Sequence, residues 1–251
     1  MPFTFAHPLY AAPLKLAKPG WFSLTGLILG SMSPDFEYFI ALEPYQTFGH
    51  SGLGLLLQAI PLSLLFACLF HFLIKVQLAD HLPGSFGLSG KAKGLIRRYP
   101  WRMARWRDWL VFLVSVVIGF GTHVFLDAFT HLHGYFVVRW PFLNEMLLGY
   151  PVYKLLQHGL SLTGLAVFGM MVLVWLIRPV SEAARNQGSV SAQAKWLYWA
   201  IVALIVISTV ACKLLFSSTG NYIGMLVVSP ISGFWLGLAA ASVAARRWGR
   251  S

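Results

Sequence analysis

The apolar positions of this chain form windows longer than the core-facing stripe of a soluble helix. Crossing a hydrocarbon core about 30 Å thick takes about 20 helical residues. Five stretches meet that length, Leu53 to Ile74, Trp109 to Thr130, Leu160 to Ile177, Trp196 to Phe216 and Tyr222 to Ala245. Tryptophan or tyrosine stands at or beside several of their ends, where amphipathic rings meet the headgroup region. The pattern predicts an all-α, polytopic membrane bundle, with residues 1–251 forming a single membrane domain.

Ahead of the first span the pattern shortens. Pro8 to Ala17 and Phe22 to Met32 are two apolar segments separated by the helix-breaking Lys18-Pro19-Gly20. Each reaches only about 15 Å, half the thickness of the core. The expected structure is a re-entrant helical hairpin within residues 1–52, which brings Ser33-Pro34-Asp35 back to the level of His7. The competing layout runs Trp21 to Leu42 as a sixth span and leaves His7 on the opposite side.

Composition agrees with a membrane protein: 57% of residues are hydrophobic and 11% charged, with a mean hydropathy of +0.68. A net charge of +11 suits nucleic acid at first sight, but the cations lie in blocks between the apolar windows. With alternating spans, Lys75, Lys91, Lys93, Arg97, Arg98, Arg102, Arg105 and Arg107 share one side with Arg178, Arg185, Lys195, Arg246, Arg247 and Arg250. Positive residues mark the cytoplasm. Residues 75–108 then form a basic cytoplasmic loop that touches anionic lipid, 131–159 an outer loop whose aromatic-rich stretch Tyr135 to Tyr153 reads as an interfacial lid, and the C-terminus is cytoplasmic. Lipid, and not nucleic acid, is the expected partner. Cys68 and Cys212 lie in apolar runs with no CxxC pattern. The first residues carry no basic start or cleavage pattern, so His7 is expected in the mature protein.

The chemistry sits in His123-x3-Asp127-x3-His131. Positions four apart share a helix flank, and ionisable groups in a spanning helix cost about 2.5–3.5 kcal/mol each on insertion scales, which makes them functional candidates. By topology, His50 and His158 come to the same outer face, and the hairpin adds His7 and Asp35. Imidazole and carboxylate together are the ligands of zinc and its first-row neighbours. Glu37 is a candidate general base or a partner that orients an imidazole. Plainer roles stay open: a His123–Asp127 pair joining two helices, or Asp35 capping a helix. His81 and His133 are expected to be solvated in polar loops. Gly26-x3-Gly30 and Gly233-x3-Gly237 are expected to permit close helix contacts.

The opening MPFTFAHP, the string LTGLILGSMSPDFEY, the GHS at Gly49 to Ser51 and GTHVFLDAFTH from Gly121 to His131 resemble a domain-of-unknown-function family of bacterial integral membrane proteins, through most of the chain. The order of an early His, Pro-Asp-x-acid, a second His and His-x3-Asp is also similar to membrane-bound metal-dependent hydrolases and to zinc-dependent phospholipases C, an all-helical trinuclear zinc fold that cleaves phosphodiesters. That similarity implies one zinc site from Asp35, His50, His123 and Asp127, with Asp127 bridging to a site that includes His7, and a further cluster drawing on His131 and His158. The chain departs from it at Leu162, where the phospholipases carry a glutamate.

The expected function is a metal-dependent hydrolase in the bacterial inner membrane, using zinc and acting on phosphoester or lipid substrates at the outer face, with Asp127 and Glu37 catalytic. The alternative is a non-catalytic transporter or assembly factor whose cluster holds a structural metal or relays protons. No G-x-S-x-G, P-loop or HExxH supports other hydrolase chemistry.

Overall fold

The computed structural model describes residues 3–179, 190–217 and 220–248; Arg185 and Arg250, assigned above to the cytoplasmic side, lie outside the described residues. In chain order the helices are α1 (His7–Ala11), α2 (Pro13–Ala17), α3 (Leu24–Met32), α4 (Phe36–Ala41), α5 (Gly52–His81), α6 (Leu88–Arg98), α7 (Trp106–Thr130) and α8 (Tyr135–Arg139). A two-strand hairpin, β1 (Met146–Leu147) and β2 (Tyr150–Pro151), leads into α9 (Val152–Ile177), α10 (Ala192–Phe216) and α11 (Tyr222–Trp248). Among the described residues five helical runs are long and apolar enough to cross a membrane: α5, the run Trp106–Arg139 that begins with α7, α9, α10 and α11. The protein is an all-α, multi-pass membrane bundle. Leu162, Phe168, Met170 and Met171 on α9, and Leu204 and Ile207 on α10, are exposed, as apolar side chains on membrane-spanning helices are.

The five spans match the apolar windows and extend past them. One extension changes a reading: α5 continues to His81, which is buried rather than solvated. The His81 ring stacks on Tyr198 at 4.5 Å, and its Nδ1 lies 2.7 Å from the Gln77 carbonyl. The stretch from Trp21 to Leu42 is not among the five long apolar helical runs; Pro34 stands in a 3₁₀ turn, Ser33–Asp35, between α3 and α4. The hairpin forms. Lys15 Nζ donates to the carbonyls of Phe22, at 2.8 Å, and Pro19, holding the Lys18-Pro19-Gly20 turn. Ser23 then caps α3 by accepting from the Gly26 N–H at 3.2 Å, and α3 returns against α1.

The chain divides into two compact units, one of Met1–Phe36, Thr47–Leu64 and Met103–Trp175, the other of Glu37–Gln46, Leu65–Arg102 and Leu176–Ser251. In the first, α3 and α7 meet backbone to backbone. A Cβ on Gly26 would stand 2.7 Å from the Phe112 carbonyl oxygen, and one on Gly119 would stand 2.5 Å from the Leu27 oxygen and 2.7 Å from the Ser31 nitrogen. Gly30 lies just as close to Val116. On the other side of the hairpin, Gly164 of α9 receives Ala6, the Tyr10 hydroxyl donates to the Leu160 carbonyl at 2.7 Å, and the Phe3 N–H donates to Ser161 Oγ at 3.0 Å. The N-terminal segment is therefore held between two spans.

The second unit packs α10 against α11. Gly233 and Gly237 approach Val206 and Val202, as their spacing predicts, with a would-be Cβ 3.0 Å from each Cα. Ile74, Tyr198, Val202, Leu238, Ala241 and Ala245 form its core. Tyr198 and Ser242 share a buried hydrogen bond of 3.1 Å, and Lys213 pairs with Glu43 at 2.9 Å.

The glycine contacts give a paired expectation. An added methyl raises helix propensity by about 1 kcal/mol, but at Gly119 it must push two backbones apart, at a cost of about 1–3 kcal/mol. Gly121, on the same helix, has nothing within 4 Å of its would-be Cβ. Thermal unfolding in detergent should place Gly121→Ala at or above the unaltered protein and Gly119→Ala below it.

Candidate metal centre

The site is assembled around His123, which is fully buried on α7. Its Nδ1 lies 2.7 Å from the Ser31 carbonyl oxygen. A carbonyl only accepts, so Nδ1 carries the hydrogen, and in the neutral ring the Nε2 lone pair faces the cluster. Orienting one ring nitrogen through a carbonyl on the other is how metal-binding histidines are held. Ser31 reaches this position because Gly30 and Gly119 let α3 lie against α7.

Asp35 sits in the 3₁₀ turn that follows, with no exposed surface. Its Oδ2 accepts from the Thr4 hydroxyl at 2.5 Å, and its Oδ1 is directed at the cluster. The turn is held from below by Gln58, whose Nε2 donates to the carbonyl of Ser33 at 2.9 Å. Gln58 lies in a π-helical stretch of α5, Leu55–Ala59, a local widening frequent at functional sites. His50 comes from the loop before α5, where Ser51 caps the helix by accepting from the Gly54 N–H at 3.1 Å.

Four side-chain atoms then approach one another. His50 Nε2 lies 3.2 Å from His123 Nε2, 3.6 Å from Asp35 Oδ1 and 3.3 Å from Asp127 Oδ2. His123 Nε2 lies 3.8 Å from Asp35 Oδ1 and 3.3 Å from Asp127 Oδ2. Ligands about 2.0–2.1 Å from a tetrahedral zinc stand about 3.3 Å apart. Five of the six edges of such a tetrahedron are thus close to the required length.

The other oxygen of Asp127 faces a different pair. Oδ1 lies 3.7 Å from His7 Nε2 and 3.6 Å from His131 Nδ1, and the His7 ring stacks on His123 at 3.7 Å. Both nitrogens of His7, Asp35 Oδ1, Asp127 Oδ1 and His131 Nε2 are buried without a hydrogen-bond partner. Leaving such groups unsatisfied costs about 1–3 kcal/mol each. Burial, reinforced by neighbouring His123, pushes the His7 imidazole down to about 3, so it is neutral and its lone pair is available. Burial also pushes the Asp35 carboxyl up. Among the described residues neither Asp35 nor Asp127 pairs with a lysine or arginine. A divalent cation would satisfy the orphaned atoms and balance two buried carboxylates. Two triads, His7–His123–Asp127 and Asp35–His50–His123, bring a ligand atom from each residue within 4.8 Å of the others. The buried His/Asp group could hold a metal ion.

His7, Asp35, His50, His123 and Asp127 come together as their order in the chain suggested, with His131 beside Asp127 at the rim. His158 does not join them: it is exposed on α9 and belongs to neither triad. Glu37 starts the second unit and also belongs to neither. The supporting groups Thr4, Ser31 and Gln58 went unnoticed. Only Gln58, a polar residue inside an apolar window, left a signal that could have been read.

A family model described as "Domain of unknown function (DUF4184)" matches residues 1–243. The chain belongs to the DUF4184 family. No curated protein and no solved structure matches it. Every residue of the cluster lies within the stretch matched by the DUF4184 model.

Elemental analysis of protein purified without chelator or polyhistidine tag should find bound divalent metal. His123→Ala and Asp35→Asn should lose it while His158→Ala retains it. Thr4→Val, which frees Asp35 to rotate, should weaken metal affinity about 10-fold, the lower end for loss of an orienting partner.

Proposed function

We propose that this cluster is the zinc centre of a membrane-embedded hydrolase acting on phosphoester or lipid-type substrates. What carries the reading is Asp127, whose two oxygens face two different sets of nitrogens. His50, His123, Asp35 and Asp127 Oδ2 would hold one cation; His7, His131 and Asp127 Oδ1 would hold a second with fewer protein ligands, and so with room for water or substrate. Bound zinc lowers the pKa of its water toward about 7, and a neighbouring cation can stabilise the leaving oxygen of a phosphoester.

The chain's own residues have distinct tasks in this scheme. Asp127 spreads its charge over both positions and is the residue on which catalysis depends. His131, the most exposed member of the cluster with a side chain 32% accessible against 18% for His50, marks the side from which substrate enters and is suited to pass a proton to solvent. Glu37 stays outside both triads, so the general-base role expected for it gains no support from the geometry. The distribution of lysine and arginine supports an orientation with the cluster at the outer face of the bacterial inner membrane and the C-terminus in the cytoplasm.

One observation favours a second reading. Four protein ligands at near-tetrahedral separations suit a closed structural site, and in a non-catalytic membrane protein that site would tie the hairpin to α7. The two readings part at Asp127→Asn, which keeps volume and one oxygen but removes charge. If the centre is catalytic, this variant inserts and purifies normally, binds less metal and loses at least 100-fold of the cleavage of a generic phosphodiester or lipid phosphoester. A fully active variant contradicts catalysis. Metal-dependent melting with no hydrolysis by the unaltered protein supports the structural site.

A further inference from the structure

The segment between the cluster-bearing helix and α9 ends in a hairpin whose tip is both apolar and conformationally costly. β1 and β2 pair Met146 with Pro151 and Leu147 with Tyr150, leaving Leu148 and Gly149 as a two-residue turn. Both have positive φ, 54° and 82°, as a type I′ turn requires, and that turn favours Asn-Gly or Asp-Gly. Here a leucine takes the left-handed position, which its Cβ resists. It gains no burial in return: Leu148 is 85% exposed, with Met146 at 67% and Tyr150 at 58%.

The hairpin is a fixed projection. At its base the Val152 N–H donates to the Glu145 carbonyl at 3.0 Å, which ties it to the first turn of α9. Leu143, Val137 and Tyr153 pack beneath it, and Asn144 Nδ2 donates to the Val137 carbonyl at 2.7 Å. From Met146 to Tyr153 the chain carries no charged residue. The apolar tip leads into α9, which past Lys154 and His158 carries the exposed apolar side chains Leu162 and Phe168 expected to face lipid. Alongside, Phe129 stacks on Phe136 and Trp140 packs edge-on and tilted against them, with Tyr135, Trp140 and Phe142 more than two-fifths exposed, the belt of rings expected at headgroup level.

We propose that the Met146–Tyr150 hairpin dips into the lipid bilayer beside α9 and acts as a membrane anchor for the loop that follows the cluster. Its occupant is phospholipid acyl chain, not a second protein. A leucine at the tip then has a reason that a polar turn residue lacks, since it replaces water contact by lipid contact. The inference does not depend on metal or catalysis.

The test uses the full-length protein in phosphatidylcholine–phosphatidylglycerol nanodiscs, with Cys68 and Cys212 replaced by serine and a single cysteine at position 148 carrying a bimane fluorophore. Lipids with a nitroxide on the acyl chain should quench the probe at least twofold, while aqueous iodide should quench it no more than a probe on lipid-facing Phe168→Cys. The same behaviour is expected from Met146→Cys, which leaves the turn residues untouched. Strong iodide quenching at both positions would place the tip in water and overturn the proposal. Protection from both quenchers would mean that protein covers the tip, and would overturn it equally.

Discussion

The cluster depends on how closely two helices can approach. α3 carries no ligand, yet Gly26, Gly30 and Gly119 bring its backbone onto α7, and this places the Ser31 carbonyl against His123 Nδ1. Side chains larger than hydrogen at these positions would move that carbonyl away. His123 would then lose both its tautomer and its aim, and the 3₁₀ turn carrying Asp35 would move with the end of α3. A packing constraint in the apolar interior thereby sets the chemistry of polar atoms two residues away.

The same unit accepts unfavourable terms that a purely structural core would avoid. Two carboxylates and three imidazoles share a region nearly closed to solvent, and several of their atoms lack hydrogen-bond partners. An apolar replacement of similar volume would cost less to bury. The hairpin bears a milder conflict, a leucine at positive φ exposed at its tip. Both departures from local preference make sense if something outside the chain completes them, a cation in one case and lipid in the other.

Much of this was legible in the sequence because membrane solvation imposes long apolar windows and charge between them, so the five spans could be read from composition and period alone. The break at Lys18-Pro19-Gly20 likewise marked the hairpin, since no helix of the length on either side crosses a bilayer. The ligands were legible for the opposite reason: His123 and Asp127 are costly where they stand. Less visible were groups whose role depends on direction rather than type. Ser31 acts through its backbone carbonyl, which every residue possesses, and Thr4 looked like any small polar residue near a terminus. His158 was misjudged because a helix start at the right level says nothing of which way the side chain turns; α9 turns it outward. His81 was misjudged because α5 runs about two turns beyond its apolar window, and its ring is buried by Tyr198 rather than hydrated.

The central claim is that His50, His123, Asp35 and Asp127 form a four-ligand cation site of nitrogen and oxygen donors. X-ray absorption fine structure on the zinc-loaded protein reads this directly. The expected spectrum has a first shell of four nitrogen or oxygen atoms at about 2.0–2.1 Å with the outer-shell scattering of imidazole rings, and no sulfur at about 2.3 Å. A sulfur shell, or six oxygens without imidazole scattering, would contradict the account, because the metal would then be bound at a cysteine or hydrated at the surface rather than held by this cluster.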